Sequence, residues 1–585
     1  MIKSKKLKFD PISPASVVSL IAVTVVWCYL YYLNVVDGGV IVDYADGIAH
    51  FQLSRSALEH PKLFFDNWAR PSHVAFSVFP AQLGFKYYVL AHVLLTVVNS
   101  YLMIRLGSHW NLAVPWLLPW WMVVNTAVLH VTIGGLTEPL YVFFALLTLS
   151  LLEEKKWFYV GLVLGLALIA RHEAVLLILV AFFFALKSKT RNVIIQCGIA
   201  FFITLIGFSL FGVVLGGKTN LLWVFWDQPY GRNPNVYGAG TWSHFWDYRR
   251  LWASSVMVGA FVIAAMGTLI GLVKTKEVSI KLSTFIIASG TVLTHVVLWK
   301  FGLLGSLGLT RILAIAIPFM ALSIHSLNSG AGIIVIVLFT GHAFQWYRDS
   351  PNTTFQKSVH QLVAEHELAG LHDVPESARI AAQWKLPLVL RGYPTEDVQR
   401  VVPLWELPPL LPSSALLPGD LLVWDNVTGF REGGLDEAIC RMDPGLQPID
   451  SVELDGVRLV VFQVVPALTD VLLSTKKMAG MLSGNGVWAT KNKTHLCIRP
   501  PRTYGRLLQL NPNSPPITVK WRGSPEGQLI IRSPDGREHF MGNKGVFTFS
   551  RLKEPKRLLW LAKNGEVLFD FEAHKTSNQR PVTSN

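Results

Sequence analysis

The first 346 residues alternate long apolar runs with short polar segments. The first run, residues 17–36, has the length of roughly 20 helical residues that cross the roughly 30 Å hydrocarbon layer of a bilayer. Ten more runs of this kind are predicted near 87–105, 112–130, 136–152, 157–170, 174–187, 193–215, 251–273, 282–299, 309–327 and 331–346. The pattern predicts a polytopic α-helical membrane protein with about eleven transmembrane helices.

The composition agrees with this class and explains the charge. With 51% hydrophobic and 15% charged residues among 585, the chain is far more apolar than a soluble enzyme of its length. The net charge of +14 comes from lysines and arginines that cluster between the apolar runs, which is the distribution that membrane topology produces. Nucleic acid is therefore not an expected partner. Four lysines before residue 10 place the N-terminus in the cytoplasm and make the first run a signal anchor.

Polar residues that are not topology signals gather on the external face. Counting from a cytoplasmic start, the basic turns at 153–156, 187–191 and 274–277 all fall inside, as orientation by positive charge requires. The same alternation places on the outside Glu138, Arg171, Glu173 and Arg311, which lie at the ends of predicted spans. Because an ionisable side chain in lipid is costly, we expect these groups to line a cavity. The alternative for each is an interfacial salt bridge or a snorkelling side chain.

Two carboxylates and a histidine follow the first span. Asp43 and Asp46 lie just outside the predicted membrane, and a helix beginning near Gly47 would place Asp46 at its N-cap and His50 one turn further on. The mixed polarity up to residue 58 predicts an amphipathic helix at the interface. A purely capping role for Asp46 is the alternative, but it leaves Asp43 unexplained.

The long external loop 216–250 is rich in aromatic and hydrogen-bonding residues. Trp242 and His244 lie within it, among other tryptophans, tyrosines, Asp227 and Arg232. Such a mixture could stack on a sugar or hold a lipid phosphate. An aromatic belt at the headgroup level is an equal alternative.

The composition changes after Trp346 and indicates soluble domains. No further span follows, and Pro, Gly and charge become frequent. We predict a membrane domain at 1–348, an external α/β domain at 349–475 and an external β-rich, sandwich-like domain at 476–585.

Taken together, the motifs resemble a known family. The first external loop resembles that of the integral-membrane glycosyltransferases of the C-type fold, which use polyprenyl- or dolichyl-phosphate sugars. The resemblance lies in the acidic opening of the loop and in segments 46–51 and 65–71. That superfamily includes the protein O-mannosyltransferase and aminoarabinose transferase group. Three further segments at the external ends of spans are similar to its recurring pieces: Thr137-Glu138-Pro139-Leu140-Tyr141, Ala170-Arg171-His172-Glu173 and Gly308-Leu309-Thr310-Arg311. The resemblance covers roughly the first 350 residues.

Two departures from the family pattern bear on the chemistry. Asp46-Gly47 replaces the family's Asp-Glu pair, which leaves the choice between Asp43 and Asp46 open. Trp424-Asp425-Asn426 stands where oligosaccharyltransferases have a Trp-Trp-Asp signature, which argues against transfer of a whole glycan to asparagine.

The resemblance implies sugar transfer, with inversion, from a lipid-phosphate donor to a hydroxyl of a glycan, lipid or protein acceptor at the external membrane face. That face would be periplasmic in a bacterial inner membrane or lumenal in the endoplasmic reticulum. Asp46 is the expected general base, and Asp43 would orient the acceptor or, with Asp46, hold Mg²⁺ or Mn²⁺. Arg171 and Arg311 are the expected phosphate ligands. The remaining candidates for substrate binding are His50, Arg70, Glu138, Glu173, Trp242 and His244.

Two other classes of function remain open at this stage. A transporter or flippase of lipid-linked sugars is the main alternative, although the sequence shows neither an internal repeat nor a charge in the middle of a span. An anchored carbohydrate-binding protein would account for the C-terminal region but not for the acidic loop.

Overall fold

A computed structural model describes residues 12–465 except 189, 222, 224–239, 276–279, 304–306, 327–331, 350–354, 373, 376, 394, 396–399, 408–411, 430–433 and 444. Beyond residue 465 it describes ten strands. The chain divides into two compact units, Met1–Gln361 and Leu362–Asn585.

The described part of the first unit is helical. Its helices are α1 (Pro14–Tyr31), α2 (Asp46–Ser56), α3 (Pro71–Gln82), α4 (Phe85–His109), α5 (Trp120–Val123), α6 (Thr126–Ile133), α7 (Glu138–Glu153), α8 (Trp157–Ala170), α9 (Ala174–Lys187), α10 (Arg191–Gly216), α11 (His244–Asp247), α12 (Ser255–Thr275), α13 (Ile280–Phe301), α14 (Ala316–His325) and α15 (Gly332–Asp349). A π-helical turn, Tyr32–Asp37, continues α1. Short 3-10 helices lie at Pro61–Phe65, Pro115–Leu117, Arg249–Leu251 and Thr310–Ile315.

Several helices have the length and composition of membrane spans. Among the described residues these are Pro14–Asp37, Phe85–His109, Arg191–Gly216 and Ile280–Phe301. Shorter apolar helices occur at Trp157–Ala170, Ala174–Lys187, Ser255–Ile270 and Thr310–His325. The chain is therefore a largely helical membrane protein, while the count of eleven spans stays a prediction.

The span predicted at 112–130 is not one straight helix. Pro115–Val123 and Thr126–Ile133 meet at an angle of 71° and together have the length of one span. The break has a local cause, because the Asn125 side chain accepts a hydrogen bond from the Val128 N–H at 3.1 Å and so starts a new helix. Asn125 also donates to the Trp252 carbonyl at 2.9 Å, which fixes the bend.

The start of α2 packs directly against the end of α6. A Cβ atom added at Gly47 would lie 2.2 Å from the Gly134 carbonyl oxygen, so only glycine permits this approach. The contact brings the acidic loop after α1 next to the turn that leads into α7.

Residues 355–361, which follow α15, run along that acidic loop. The Gln361 side chain accepts from the Ile41 N–H at 2.8 Å and donates to the Gly39 carbonyl at 2.6 Å. The rings of Tyr44 and His360 stack with centroids 4.2 Å apart. The loop that carries Asp43 and Asp46 is thus held on two sides.

The helix α16 (Val359–Glu365) lies at the boundary of the two units. The second unit contains a five-stranded sheet of order β2-β1-β3-β5-β4, formed by β1 (Ile380–Ala382), β2 (Val401–Val402), β3 (Leu421–Asp425), β4 (Leu446–Leu454) and β5 (Val457–Val464). β1 is parallel to β2 and β3, whereas β5 is antiparallel to β3 and β4. Short helices α17 (Leu386–Val389) and α18 (Glu437–Met442) accompany it, and Leu422, Val460 and Phe462 are fully buried in its core.

Only strands are described after residue 465. They are β6 (Leu482–Ser483), β7 (Val487–Ala489), β8 (Leu496–Ile498), β9 (Leu508–Leu510), β10 (Ile517–Arg522), β11 (Gly527–Arg532), β12 (Glu538–Phe540), β13 (Lys544–Phe549), β14 (Lys556–Ala562) and β15 (Val567–Lys575). Six form a sheet of order β12-β11-β14-β15-β9-β6, and two further pairs are β10-β13 and β7-β8. The predicted sandwich and the three domain boundaries stay predictions.

Candidate active site

Asp43 is a buried anchor of the acidic loop, with only 4% of its surface exposed. Its Oδ1 accepts hydrogen bonds from the backbone N–H groups of Gly47 at 2.9 Å and Ala45 at 3.3 Å. These contacts supply the N-terminal cap of α2, whose first residue is Asp46. The prediction that Asp46 caps this helix is wrong, because the loop folds Asp43 back over the helix start.

One guanidinium joins the two carboxylates. Arg311, on the 3-10 helix Thr310–Ile315, donates from Nη1 to Asp43 Oδ2 and from Nη2 to Asp46 Oδ2. Asp43 Oδ2 also lies 3.4 Å from Nε2 of His130. The sequence analysis placed Asp43 and Asp46 together, and the structure adds the arginine from about 265 positions later.

The two carboxylates that share the Arg311 guanidinium have pKa values shifted in opposite directions. Burial opposes ionisation of Asp43, but Arg311 and His130 outweigh it and hold the Asp43 pKa well below its usual range. Burial raises the pKa of Asp46, with the negative charges of Asp43 and Glu138 adding to it and the Arg311 charge opposing it. The Asp46 side chain is 35% exposed. Asp43 is therefore a fixed anion, whereas Asp46 is a partly exposed carboxylate with a raised pKa.

A second ion-pair cluster lies at the start of α7 and between α8 and α9. Arg171 donates to Glu138 Oε1 at 2.9 Å and to the Thr137 hydroxyl at 2.6 Å. It also binds Glu173 through both oxygens, at 2.8 and 3.2 Å, and Glu173 in turn lies 3.1 Å from His295. The structure thus brings together three of the predicted site residues, and it commits the Arg171 guanidinium to carboxylates of the protein.

Arg70 differs from the other two arginines of the site. Among the described residues it forms no ion pair, and its nearest polar side-chain contact is His172 Nδ1 at 3.4 Å. Burial lowers the pKa of Arg70 to about 10, and the Arg171 charge adds to that effect, while the charges of Glu173, Glu138 and Asp66 oppose it. Its backbone is also unusual, since φ is +63° immediately before Pro71 at the start of α3. A charged, desolvated guanidinium without a carboxylate partner is suited to an anionic ligand.

His50 belongs to a buried aromatic cluster rather than to the acidic pair. Its ring stacks on Trp68 at 4.6 Å and meets His73 edge-on at 5.0 Å. Burial lowers the pKa of His50 to about 3, which keeps the imidazole neutral. His73 Nε2 lies 2.9 Å from His92 Nε2, and His92 Nδ1 donates to the Tyr88 carbonyl at 2.8 Å. His92 is therefore the acceptor in the first bond, and His73 is the donor.

Trp242 and His244 lie near the base of the Arg311 helix. His244 donates from Nε2 to the Gly308 carbonyl at 2.7 Å and stacks against Trp299, so it braces the segment just before Arg311. Trp242 is 54% exposed and packs edge-on against Phe301. Residues 222 and 224–239 of the aromatic loop lie outside the described residues.

Three histidines of the site region were not singled out from the sequence. His73, His92 and His130 lie on α3, α4 and α6 within mainly apolar segments, where each reads as an ordinary core residue. A signal was present, since a histidine inside an apolar run must find a polar partner once it is buried.

The predicted divalent metal site does not match the donors that are present. In the part of the chain that is described, no group of three or more His, Cys, Asp or Glu side chains is arranged to hold a metal ion. The inner oxygens of Asp43 and Asp46 already face Arg311. A guanidinium thus stands where a cation would bind, and the residues fit Mg²⁺ or Mn²⁺ poorly.

Comparisons with known proteins give a distant structural similarity. The sequence matches no protein-family model and no curated protein. Among solved structures, the chain is similar to the crystal structure of ArnT from Cupriavidus metallidurans in the apo state, with 14% sequence identity and a TM-score of 0.37. The similarity covers 76% of this chain and 97% of that chain. A TM-score of this size does not establish a shared fold.

Proposed function

We propose that the protein is an integral-membrane glycosyltransferase that moves a sugar from a polyprenyl- or dolichyl-phosphate donor to an acceptor hydroxyl, with inversion. The observation that carries the proposal is the pair Asp43 and Asp46 on one guanidinium, with their pKa values shifted in opposite directions. Two carboxylates whose environments separate their pKa values divide into a fixed charge and a proton acceptor.

Asp46 is the general base in this mechanism. Its exposed fraction lets an acceptor approach, whereas Asp43 is enclosed and its oxygens are used for the helix cap and for Arg311. As the acceptor oxygen bonds to C1 of the sugar, Asp46 takes the hydroxyl proton. The bond from C1 to the phosphate oxygen breaks, and the polyprenyl phosphate leaves with the electron pair.

Arg70 is the phosphate ligand in this mechanism. The guanidiniums of Arg171 and Arg311, which the sequence analysis favoured for this role, are held by carboxylates of the protein. Arg70 has a planar fork of donors and no ion-pair partner among the described residues, so it can meet the charge that develops on the leaving phosphate. Arg171 with Glu138 and Glu173 would fix the position of this region, and the apolar helices would solvate the lipid tail.

The acceptor is a glycan, lipid or protein hydroxyl, and the reaction face is external. This corresponds to the periplasmic face of an inner membrane or to the lumenal face of the endoplasmic reticulum. The placement follows from the positions of the basic turns, which the positive-inside rule puts in the cytoplasm.

The test is the variant Asp46→Asn, assayed with purified protein and a panel of polyprenyl-phosphate sugars. Sugar release or transfer should fall roughly 10²- to 10⁴-fold, the contribution of a positioned base, while donor binding is retained. Glu59→Gln is the matched control, because it removes an exposed carboxylate just beyond α2. If the parent is active and Asp46→Asn transfers sugar at the same rate, the base assignment is wrong.

A transporter or flippase of lipid-linked sugar is the second candidate, and the broken span favours it. Interrupted helices form substrate sites in many transporters, and Pro115–Val123 with Thr126–Ile133 is such an interruption. Reconstitution in vesicles separates the two functions. A flippase would move the donor across the bilayer without releasing sugar, and Asp46→Asn would leave that movement unchanged.

A further inference from the structure

A small cavity lies beside the Arg171 cluster, between α4, α6, α7 and the 3-10 helix that carries Arg311. Its volume is about 20 Å³, enough for a single particle of the size of a water molecule. Four polar side chains line it among apolar neighbours: Thr96, Asn99, Thr132 and Glu138. All four are at least 96% buried.

Two oxygens at this cavity have no hydrogen-bond partner among the described residues. Glu138 uses Oε1 for Arg171, and its Oε2 is buried without a hydrogen bond. Asn99 donates from Nδ2 to the Pro139 carbonyl at 2.9 Å, and its Oδ1 is likewise buried without a hydrogen bond. Buried polar atoms are nearly always paired, so these two acceptors call for a donor or a cation.

The two hydroxyl groups cannot satisfy them. Thr96 Oγ1 donates to the His92 carbonyl at 3.0 Å, which commits its hydrogen. Thr96 Oγ1 also lies 3.1 Å from Thr132 Oγ1, so Thr132 must be the donor in that pair. Both hydroxyl hydrogens are spent, so neither threonine can donate to Glu138 Oε2 or Asn99 Oδ1.

The single carboxylate at the cavity limits the charge of the ion that it can hold. A divalent ion would need more anionic ligands than the one carboxylate at this cavity, which Arg171 already shares.

We propose that this cavity binds one monovalent metal cation, Na⁺ by its size and its preference for oxygen ligands. The ligands are Glu138 Oε2, Asn99 Oδ1 and the threonine hydroxyl oxygens. The ion holds the second oxygen of the carboxylate that positions Arg171, so it ties α4 and α6 to α7. The proposal does not depend on the reaction that the protein catalyses.

The test measures thermal unfolding of the full chain in detergent, in NaCl and in choline chloride at equal ionic strength. Binding to the folded state alone stabilises it by mass action, so Tm should rise saturably with Na⁺ and not with choline. Binding of radioactive Na⁺ to the same samples should saturate at one ion per chain. Equal Tm values in Na⁺ and choline would overturn the proposal and indicate a water molecule only.

Two variants and a control localise the effect. Thr132→Val keeps the shape of the side chain but removes one oxygen, and Asn99→Leu removes another; both should shift half-saturation to higher Na⁺ or abolish it. Thr148→Val on α7 removes a buried hydroxyl that does not line the cavity, and it should keep the parent response. If Asn99→Leu does not fold, Thr132→Val decides alone. A Na⁺ response that persists unchanged in Thr132→Val would overturn the assignment.

Discussion

Replacing Arg70 with glycine should weaken donor binding without destabilising the protein. Arg70 has a φ of +63°, a conformation that costs a side-chain-bearing residue roughly 1–2 kcal/mol and glycine very little. Against this gain, glycine makes the unfolded chain more flexible, which costs roughly 0.5–1 kcal/mol. The side chain has no ion pair to lose among the described residues, only the 3.4 Å contact with His172. The free energy of unfolding should therefore rise by roughly 0–1.5 kcal/mol.

The expected loss of binding is larger than any change in stability. A hydrogen bond to a charged group contributes roughly 1.5–3 kcal/mol, and every 1.4 kcal/mol is about tenfold in affinity. Arg70→Gly should thus bind a polyprenyl phosphate roughly 10- to 100-fold more weakly. Arg70→Lys keeps the charge but loses the planar fork of donors. Its affinity for polyprenyl phosphate should therefore lie between those of the parent and Arg70→Gly.

The assay pairs phosphate-lipid binding with thermal unfolding on the same detergent samples. Arg55→Gln is the control, because it removes an exposed arginine in the last turn of α2. Parent-like affinity in Arg70→Gly would refute the phosphate assignment. Unfolding of Arg70→Gly, with Arg55→Gln intact, would show that the Arg70 side chain serves the fold and not the ligand.

Two further predictions concern the acidic loop. Asp43→Asn can still cap α2 but removes a neighbouring negative charge, so the pKa of Asp46 should fall. Because a base acts when it is deprotonated, the acid limb of the pH profile of kcat/KM should move to lower pH, and a move to higher pH would contradict the assignment. Gly47→Ala would bring a methyl group to 2.2 Å from the Gly134 carbonyl and should cost roughly 1–3 kcal/mol of stability by urea or thermal unfolding. Gly198→Ala on α10, where a Cβ meets nothing within 4 Å, should cost nothing.

The grouping of ionisable residues was predictable because lipid penalises charge. Ionisable residues at the ends of apolar runs must be paired or face a cavity, so Glu138, Arg171 and Glu173 could be grouped from the sequence alone. Which of these residues form ion pairs could not be predicted, since that depends on how α7, α8 and α13 pack. The joining of Asp43 to Arg311, across 268 positions, is a product of that packing and has no signal in either segment.

Other features depended on local geometry that a pattern does not contain. From the sequence, Asp43, three residues before α2, and Asp46, its first residue, are equally plausible caps. Only Asp43 folds back to cap the helix. The bend at Asn125 also escaped prediction, because the run 112–130 is apolar enough to read as a straight helix. In both cases a side chain bonds to nearby backbone and overrides the hydrophobic periodicity.

The ion pairs of this site are better explained by positioning than by stability. Removing charged groups from water costs about as much as their pairing returns, so buried pairs contribute little net free energy to folding. They do fix geometry, because Arg171 meets Glu173 through two oxygens and Arg311 bridges two carboxylates. A site that forms before its substrate arrives needs no reorganisation when charge develops in the reaction. On this view the paired arginines build the site, and Arg70, which has no carboxylate partner in the described chain, is left to meet the anion.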